Sequence, residues 1–386
     1  VQLKAVRNGH SAAFAALLGD GSVVTWGDAD DGGDSSAVQE QLRDVQQIQA
    51  SFRAFAAILG DGSVVAWGGA DHGGDSSAVQ HQLKNVQQIQ ASEYAFAAIL
   101  GDGSVVTWGH AHAGGDSSAV QHQLKNVQQI QSSGGAFAAI LGDASVVTWG
   151  EADRGGDSRA VQEQLRDVQQ IQASFFAFAA IRSDGSVVTW GPADYGGDSS
   201  AVQEQLRDVQ QIQGSYTAFA AIRSDGSVVT WGPAYGGDSS AVQEKLKNVQ
   251  QIQASFQAFA AILGDGSVVT WGDATSGGRS TAIQGQLRDV QQIQASHGAF
   301  AAIRSDGSVV TWGSARSGGD SKAVLEQLRD AHQIQAVNSD CAAILRDDGT
   351  FAESQKLELE LATTKQRDAS ADKSPPKPTE PPQPTN

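Results

Sequence analysis

The sequence predicts an all-β protein assembled from side-by-side copies of one short module. Three observations carry that expectation. A stretch typified by residues 54–68, AFAAILGDGSVVAWG, recurs down nearly the whole 386-residue chain. All eight tryptophans fill one slot in it, at Trp26, Trp67, Trp108, Trp149, Trp190, Trp231, Trp271 and Trp312, spaced 41 residues apart with one interval of 40. Glycine is frequent at 44 residues and hydrophobic types make up 40%, which suits many short strands joined by tight turns. A fixed period of this size marks a repeat architecture, in which each module buries its neighbour's apolar face.

In the second module the elements read in order. Residues 46–50, QQIQA, are a short run around Ile48. Residues 54–59, AFAAIL, are apolar on both faces and read as a buried strand. Asp61-Gly62 is a tight-hairpin signal, because Gly tolerates positive φ. Residues 63–67, SVVAW, are β-branched and return as the second strand of the hairpin. A Gly-rich loop, GGADHGGD, follows at 68–75. In residues 76–86 the spacing of Val79, Leu83 and Val86 predicts one or two helical turns, with Ser77 and Gln80 as a capping box. The alternative is an extended outer strand. The fourth module carries Asp143-Ala144 in place of Asp-Gly, so a turn that needs positive φ strains Ala144 by roughly 1 kcal/mol.

The first module is degenerate across residues 1–11, modules two to eight are close copies, and the ninth decays. In the ninth, Cys341 stands where others have Phe55, Phe96 or Phe300, and Ser354 takes the Trp slot. Terminal repeats are commonly atypical in this way. The repeat domain is placed at residues 1–352. Residues 353–364, with Leu357, Leu359 and Leu361 alternating with Glu, read as a last edge strand or a short helix. Residues 365–386 are polar and Pro-rich, so a disordered tail is expected. The chain contains no Met and opens as VQLKAV inside a module, which suggests a fragment or a processed product.

A formal net charge of −17 opposes non-specific nucleic-acid binding and favours a basic partner. A single cysteine, Cys341, excludes an internal disulfide and fits an intracellular compartment, cytoplasm or nucleus. No apolar run is long enough to cross a membrane as a helix. His72, His81, His110, His112 and His122 form no compact zinc motif. The Gly-Gly-Asp loops (Asp34, Asp75, Asp116, Asp157, Asp198, Asp238, Asp320) offer one carboxylate each, too few for calcium, and read as caps of the following turn. No nucleophile elbow, phosphate loop or acid–base pair stands out. The expectation is therefore a non-enzyme with no cofactor and no metal.

The pattern V-x-x-I-x-A-S-x-x-A-F-A-A-I-L-x-D-G-S-V-V-T-W-G-x-A-x-x-G-G resembles the repeat of the regulator of chromosome condensation family. Asp61-Gly62, Val64, Val65 and Trp67-Gly68 match that repeat, whereas Gly73-Gly74-Asp75 replaces its Gly-Gln-Leu-Gly loop. The family's Gly-x-x-His-(Ser/Thr) step has become Ser51-Phe52-Arg53-Ala54-Phe55. The resemblance covers residues 1–352 and implies a β-propeller, commonly of seven blades; the modules here imply eight or nine blades of about 41 residues. A solenoid with stacked Gln rows is the competing architecture. For function the resemblance implies a non-catalytic, monomeric protein-interaction scaffold. Its alternatives are the substrate-binding part of a larger HECT-type ubiquitin ligase, whose catalytic Cys would lie outside this chain, or a guanine-nucleotide exchange factor for a small GTPase.

Most positions are frozen between modules, but two windows vary. One is the pair after Ala-Ser: Phe52-Arg53, Glu93-Tyr94, Gly134-Gly135, Phe175-Phe176, Tyr216-Thr217, Phe256-Gln257 and His297-Gly298. The other flanks the Ala after Trp-Gly and includes Asp71, His72, Arg154, Tyr195 and Tyr235. Two strands separate the windows, and antiparallel connections alternate between the ends of a sheet, so both should open on one end. Aromatic and Arg side chains are the usual anchors of protein interfaces. The candidate partner-binding set is Phe52, Arg53, Asp71, His72, Tyr94, Phe175, Phe176, Tyr195, Tyr216, Tyr235, Phe256 and His297. Drift in tolerant loops gives a similar pattern.

Overall fold

The computed structural model describes residues 2–8, 11–320, 331–337 and 341–346. The expected final edge element at 353–364, the tail at 365–386 and the Ser354 slot lie outside them. Eight three-stranded sheets and one two-stranded sheet follow one another along the described chain, each built from consecutive antiparallel strands. The first holds β1 (Gln2–Asn8), β2 (Ser11–Leu17) and β3 (Val23–Gly27); the second holds β4 (Val45–Ala50), β5 (Ala54–Leu59) and β6 (Val64–Gly68). The ninth pairs Ala331–Val337 with Cys341–Arg346, and Cys341 opposes Val337 in the register that Phe55 keeps with Ala50. The first strands of neighbouring sheets lie side by side, and the Ala331–Val337 strand in turn lies beside β1. The modules therefore close into a ring of nine sheets, a β-propeller with its QQIQ strands innermost, and not a solenoid.

Side-chain alternation explains why AFAAIL is apolar on both faces. Phe55 and Ala57 pack with Ile48, Val65 and Trp67 against Ala13, Ala15 and Val23 of the preceding sheet. Ala54, Ala56 and Ile58 face the other way, into the cluster of Phe96, Ala98 and Trp108 on the next sheet. Small residues on one face thus receive the large rings of the neighbour. Each such Phe is essentially fully buried, a contribution of about 1.5–3 kcal/mol apiece. The ring of Phe55 stacks on Trp67 at 5.3 Å, and the Trp67 indole N–H donates to the Gly32 carbonyl of the preceding module at 3.0 Å. The same bond recurs from Trp108 to Trp312. Trp26 is the exception: its Nε1 is buried with no hydrogen-bond partner among the described residues.

The Asp-Gly turns tie sheets together at one end of the ring. Gly62 has φ 77°, and its carbonyl accepts from the Val86 N–H of the next module at 2.9 Å. A Cβ on Gly62 would come within 2.9 Å of the Asn85 backbone, so Gly is favoured there. Asn85 is itself left-handed, as are Asp44 and the equivalent Asp or Asn of later modules, a conformation these two residue types tolerate. Ala144 occupies the Gly slot of the fourth module with φ 63°, the positive value that the Asp-Gly reading requires.

Residues 77–82 form tight turns, tightening to a 3-10 helix in later modules such as Gln162–Gln164, and not an outer strand. Leu83 and Val86 are buried with Val79 packed against them, as the spacing predicts. The capping box is not formed. Gln80 instead accepts from Ser76 Oγ at 2.8 Å and donates its amide to the Val64 carbonyl at 2.8 Å. The competing acceptor lies on the outer edge of β6, where no further strand of the sheet pairs with its carbonyls. Asp75 does cap the turn, accepting from the Ser77 N–H at 2.9 Å.

Candidate partner-binding face

The two variable windows meet at the end of the ring opposite the Asp-Gly turns. The Gly69 N–H donates to the Arg53 carbonyl at 2.8 Å, and Ser51 Oγ donates to the His72 carbonyl at 2.8 Å. Seryl hydroxyls at Ser133, Ser174 and Ser255 hold the later loops in the same way. The loop itself is a 3-10 turn, Ala70–His72, closed by left-handed Gly73.

A chain of backbone bonds joins the first window from the second module to the eighth. The Phe52 N–H donates to the Glu93 carbonyl at 2.8 Å, Glu93 to Gly134 at 3.2 Å, Gly134 to Phe175 at 2.7 Å, Phe175 to Tyr216 at 3.1 Å, Tyr216 to Phe256 at 2.9 Å, and Phe256 to His297 at 2.8 Å. The first residue of each pair therefore stands at the rim of the central channel. There a cavity of about 770 Å³ is lined by Phe52, Glu93, Phe175, Tyr216, Phe256 and His297, with Ala and Ser beneath them.

The side chains then interlock around the rim. Phe175, Tyr216, Phe256 and His297 stack in sequence at 4.2, 4.1 and 4.2 Å between ring centroids. Phe176 meets Phe175 at 4.5 Å and Tyr195 at 4.4 Å. Across the face, His72 lies 6.4 Å from Phe52 and 5.0 Å from Tyr94, which continues to His110 at 6.2 Å. Burial, then the nearby Arg53 charge, lowers the His72 pKa, and burial raises that of the Tyr216 phenol. Arg53 Nε is 2.5 Å from Asp31, whose side chain is fully buried.

Gly134-Gly135 is the vacancy that lets the rest fit. A Cβ on Gly134 would sit 3.1 Å from the Phe175 ring, and one on Gly135 would sit 2.6 Å from Arg154 Cδ. Arg154 fills that space. Its guanidinium lies 4.5 Å over the Phe176 ring and pairs with Glu93 at 3.2 Å and Glu151 at 2.6 Å. Burial pushes the Glu93 carboxyl up, against the pull of Arg154.

Most residues of the predicted set come together here; two stand apart. Asp71 is exposed, and Tyr235 is 61% exposed, outside the aromatic stack. The Tyr235 loop is one residue shorter than its counterparts, which also accounts for the interval of 40 between Trp231 and Trp271. Glu93, Arg154, Glu151 and the two glycines complete the face yet were not in that set. All fall within the two variable windows, which was the available signal. Among the described residues no three His, Cys, Asp or Glu gather as a metal site, and no helix is long and apolar enough to cross a membrane.

No family model and no curated protein matches the chain. Solved structures similar to it include the CRINKLY WD40 ectodomain of the receptor kinase ACR4 from Arabidopsis thaliana, at 15% identity over 70% of this chain and 96% of that one, TM-score 0.40. Another is Prp20p from Saccharomyces cerevisiae, described with its binding to Gsp1p and histones, at 14% identity over 81% of this chain and 79% of that one, TM-score 0.40. A third is the computationally designed protein Ika8, at 16% identity over 80% and 95%, TM-score 0.40. The class of this chain, a nine-sheet repeat β-propeller, stands on its own strand order and ring closure.

Proposed function

We propose that the chain is a non-catalytic scaffold that captures a protein partner on the variable end of the propeller. The observation that carries this is the fit between variable residues of different modules. Glycines at 134–135 open the space that Phe175 and Arg154 occupy. Loops drifting independently have no reason to match one another across module boundaries. The face also combines the aromatic and Arg anchors that dominate interface energetics with a rigid backbone ring that limits the entropy lost on binding. The ring acts as a monomer, with a glutamine amide seated on the outer strand of each of the first seven modules, and its single cysteine fits an intracellular setting. A ligase fragment or an exchange factor would use this same face, and the identity of the captured protein, a substrate or a GTPase, separates them.

The test replaces Phe52, Tyr94, Phe175 and Phe256 together by Ser. The variant is expected to keep the β-sheet circular-dichroism spectrum and to lose the partner recovered by cross-linking with the wild-type ring. Unchanged recovery would remove this face from consideration.

A further inference from the structure

The channel mouth is two-sided. Glu93 and Phe256 belong to the third and seventh sheets of a nine-sheet ring, so they stand across the opening from each other. The Phe175–Tyr216–Phe256 rings turn their faces to one another at 4.1–4.2 Å, leaving ring edges as an apolar wall. Beside that wall, linked to it through Arg154, Glu93 is the one acidic side chain among the described residues lining the cavity. It shares Arg154 with Glu151, so two carboxylates meet one guanidinium and a negative charge is left over. The surroundings carry the same sign: the two windows hold nine Asp and Glu against three Arg, at Arg53, Arg154 and Arg316.

We propose that the mouth receives a lysine or arginine side chain from an extended basic segment of the partner, its cationic head on Glu93 and its aliphatic stem along the aromatic wall. This deepens the scaffold reading and rests on it. A long basic side chain suits both walls at once, since its stem is apolar and only its tip is charged. An acidic segment would meet an excess of like charge, nine carboxylates to three guanidiniums, and a purely apolar one would cover two carboxylates that share a single guanidinium, which is costly. The partial burial of Glu93 strengthens its attraction for a cation relative to a fully solvated carboxylate.

The experiment uses the full chain and fluorescence anisotropy of three labelled peptides, GSRKRSG, GSLFLSG and GSEDESG. The basic peptide should bind tightest and weaken as salt is raised. Glu93→Gln, which keeps an acceptor for Arg154, should lose about tenfold in affinity for it, the scale of a charged hydrogen bond. Asp194, exposed in the loop just before Tyr195, is the control, and Asp194→Asn should lose less than about twofold. Thermal melting of each variant confirms that it is folded. The proposal is overturned if folded wild type ignores the basic peptide, if either other peptide binds as well, or if Glu93→Gln binds it undiminished. In those cases the scaffold reading survives provided the four-Ser variant still loses its protein partner; retention of that partner overturns both.

Discussion

The two ends of the ring are built from the same nine modules and solve opposite problems. At the Asp-Gly end the first eight modules repeat a turn aspartate accepting from a Ser hydroxyl and amide, as Asp61 does from Ser63 at 2.6 and 2.8 Å. In the first seven the next residue's carbonyl, of Gly or in the fourth module of Ala144, holds the following module. At the variable end only the backbone ring repeats, and each side chain is fitted to its neighbours, as Arg154 is to Gly135, Glu93 and Phe176. The lesson is that rigidity and identity have been separated. The backbone provides the first at both ends, which frees side chains at one end to differ.

Acid should divide the ends most strongly, because it acts on every turn at once. The Ser hydroxyl and amide bonds lower the pKa of Asp20, Asp61, Asp102, Asp143, Asp184, Asp225, Asp265 and Asp306. A depressed folded pKa contributes stability above the unfolded value, here 3.8, that is lost as pH falls through the folded one. Glu93, raised by burial, has the opposite sign: its contribution is present at low pH and is lost as pH rises through the folded value. Hydrogen exchange followed from pH 5 to pH 2 is expected to show the Asp-Gly end opening first. Earlier opening around Glu93 would reverse the comparison.

Gly135→Ala probes the variable end alone. Its Cβ must displace Arg154, an overpacking cost of about 1–3 kcal/mol, visible as a lower melting temperature with a changed environment for Phe176. The corresponding change at an exposed glycine with open space around it, Gly285→Ala, should not lower the melting temperature. The smallest effect is at the other end. Ala144→Gly relieves a left-handed alanine and should stabilise the ring by up to about 1 kcal/mol. A lower melting temperature would contradict the turn geometry.

The fold was largely legible because its determinants are local and repeated. AFAAIL announces a strand buried on both faces, Asp-Gly announces the hairpin, and one Trp per module announces a seam. Even the shared end of the two windows follows from counting strands. Ring closure was less legible, since it depends on small rotations summed over all modules. The role of Gly134-Gly135 was hidden because the side chains that need the space, Phe175 and Arg154, lie in other segments of the chain. Gln80 read as a turn residue because the carbonyl it meets, at Val64, becomes its neighbour only once the hairpin has formed.

That glutamine has a wider consequence. A protein made of near-identical copies offers each outer strand many templates of its own sequence, the condition under which chains exchange segments or grow into fibres. Gln80 seats an amide on the Val64 carbonyl, Gln121 on Val105 and Gln162 on Val146, so from the first module to the seventh one acceptor on the outer strand is already taken. Self-similarity is thereby kept from becoming self-recognition.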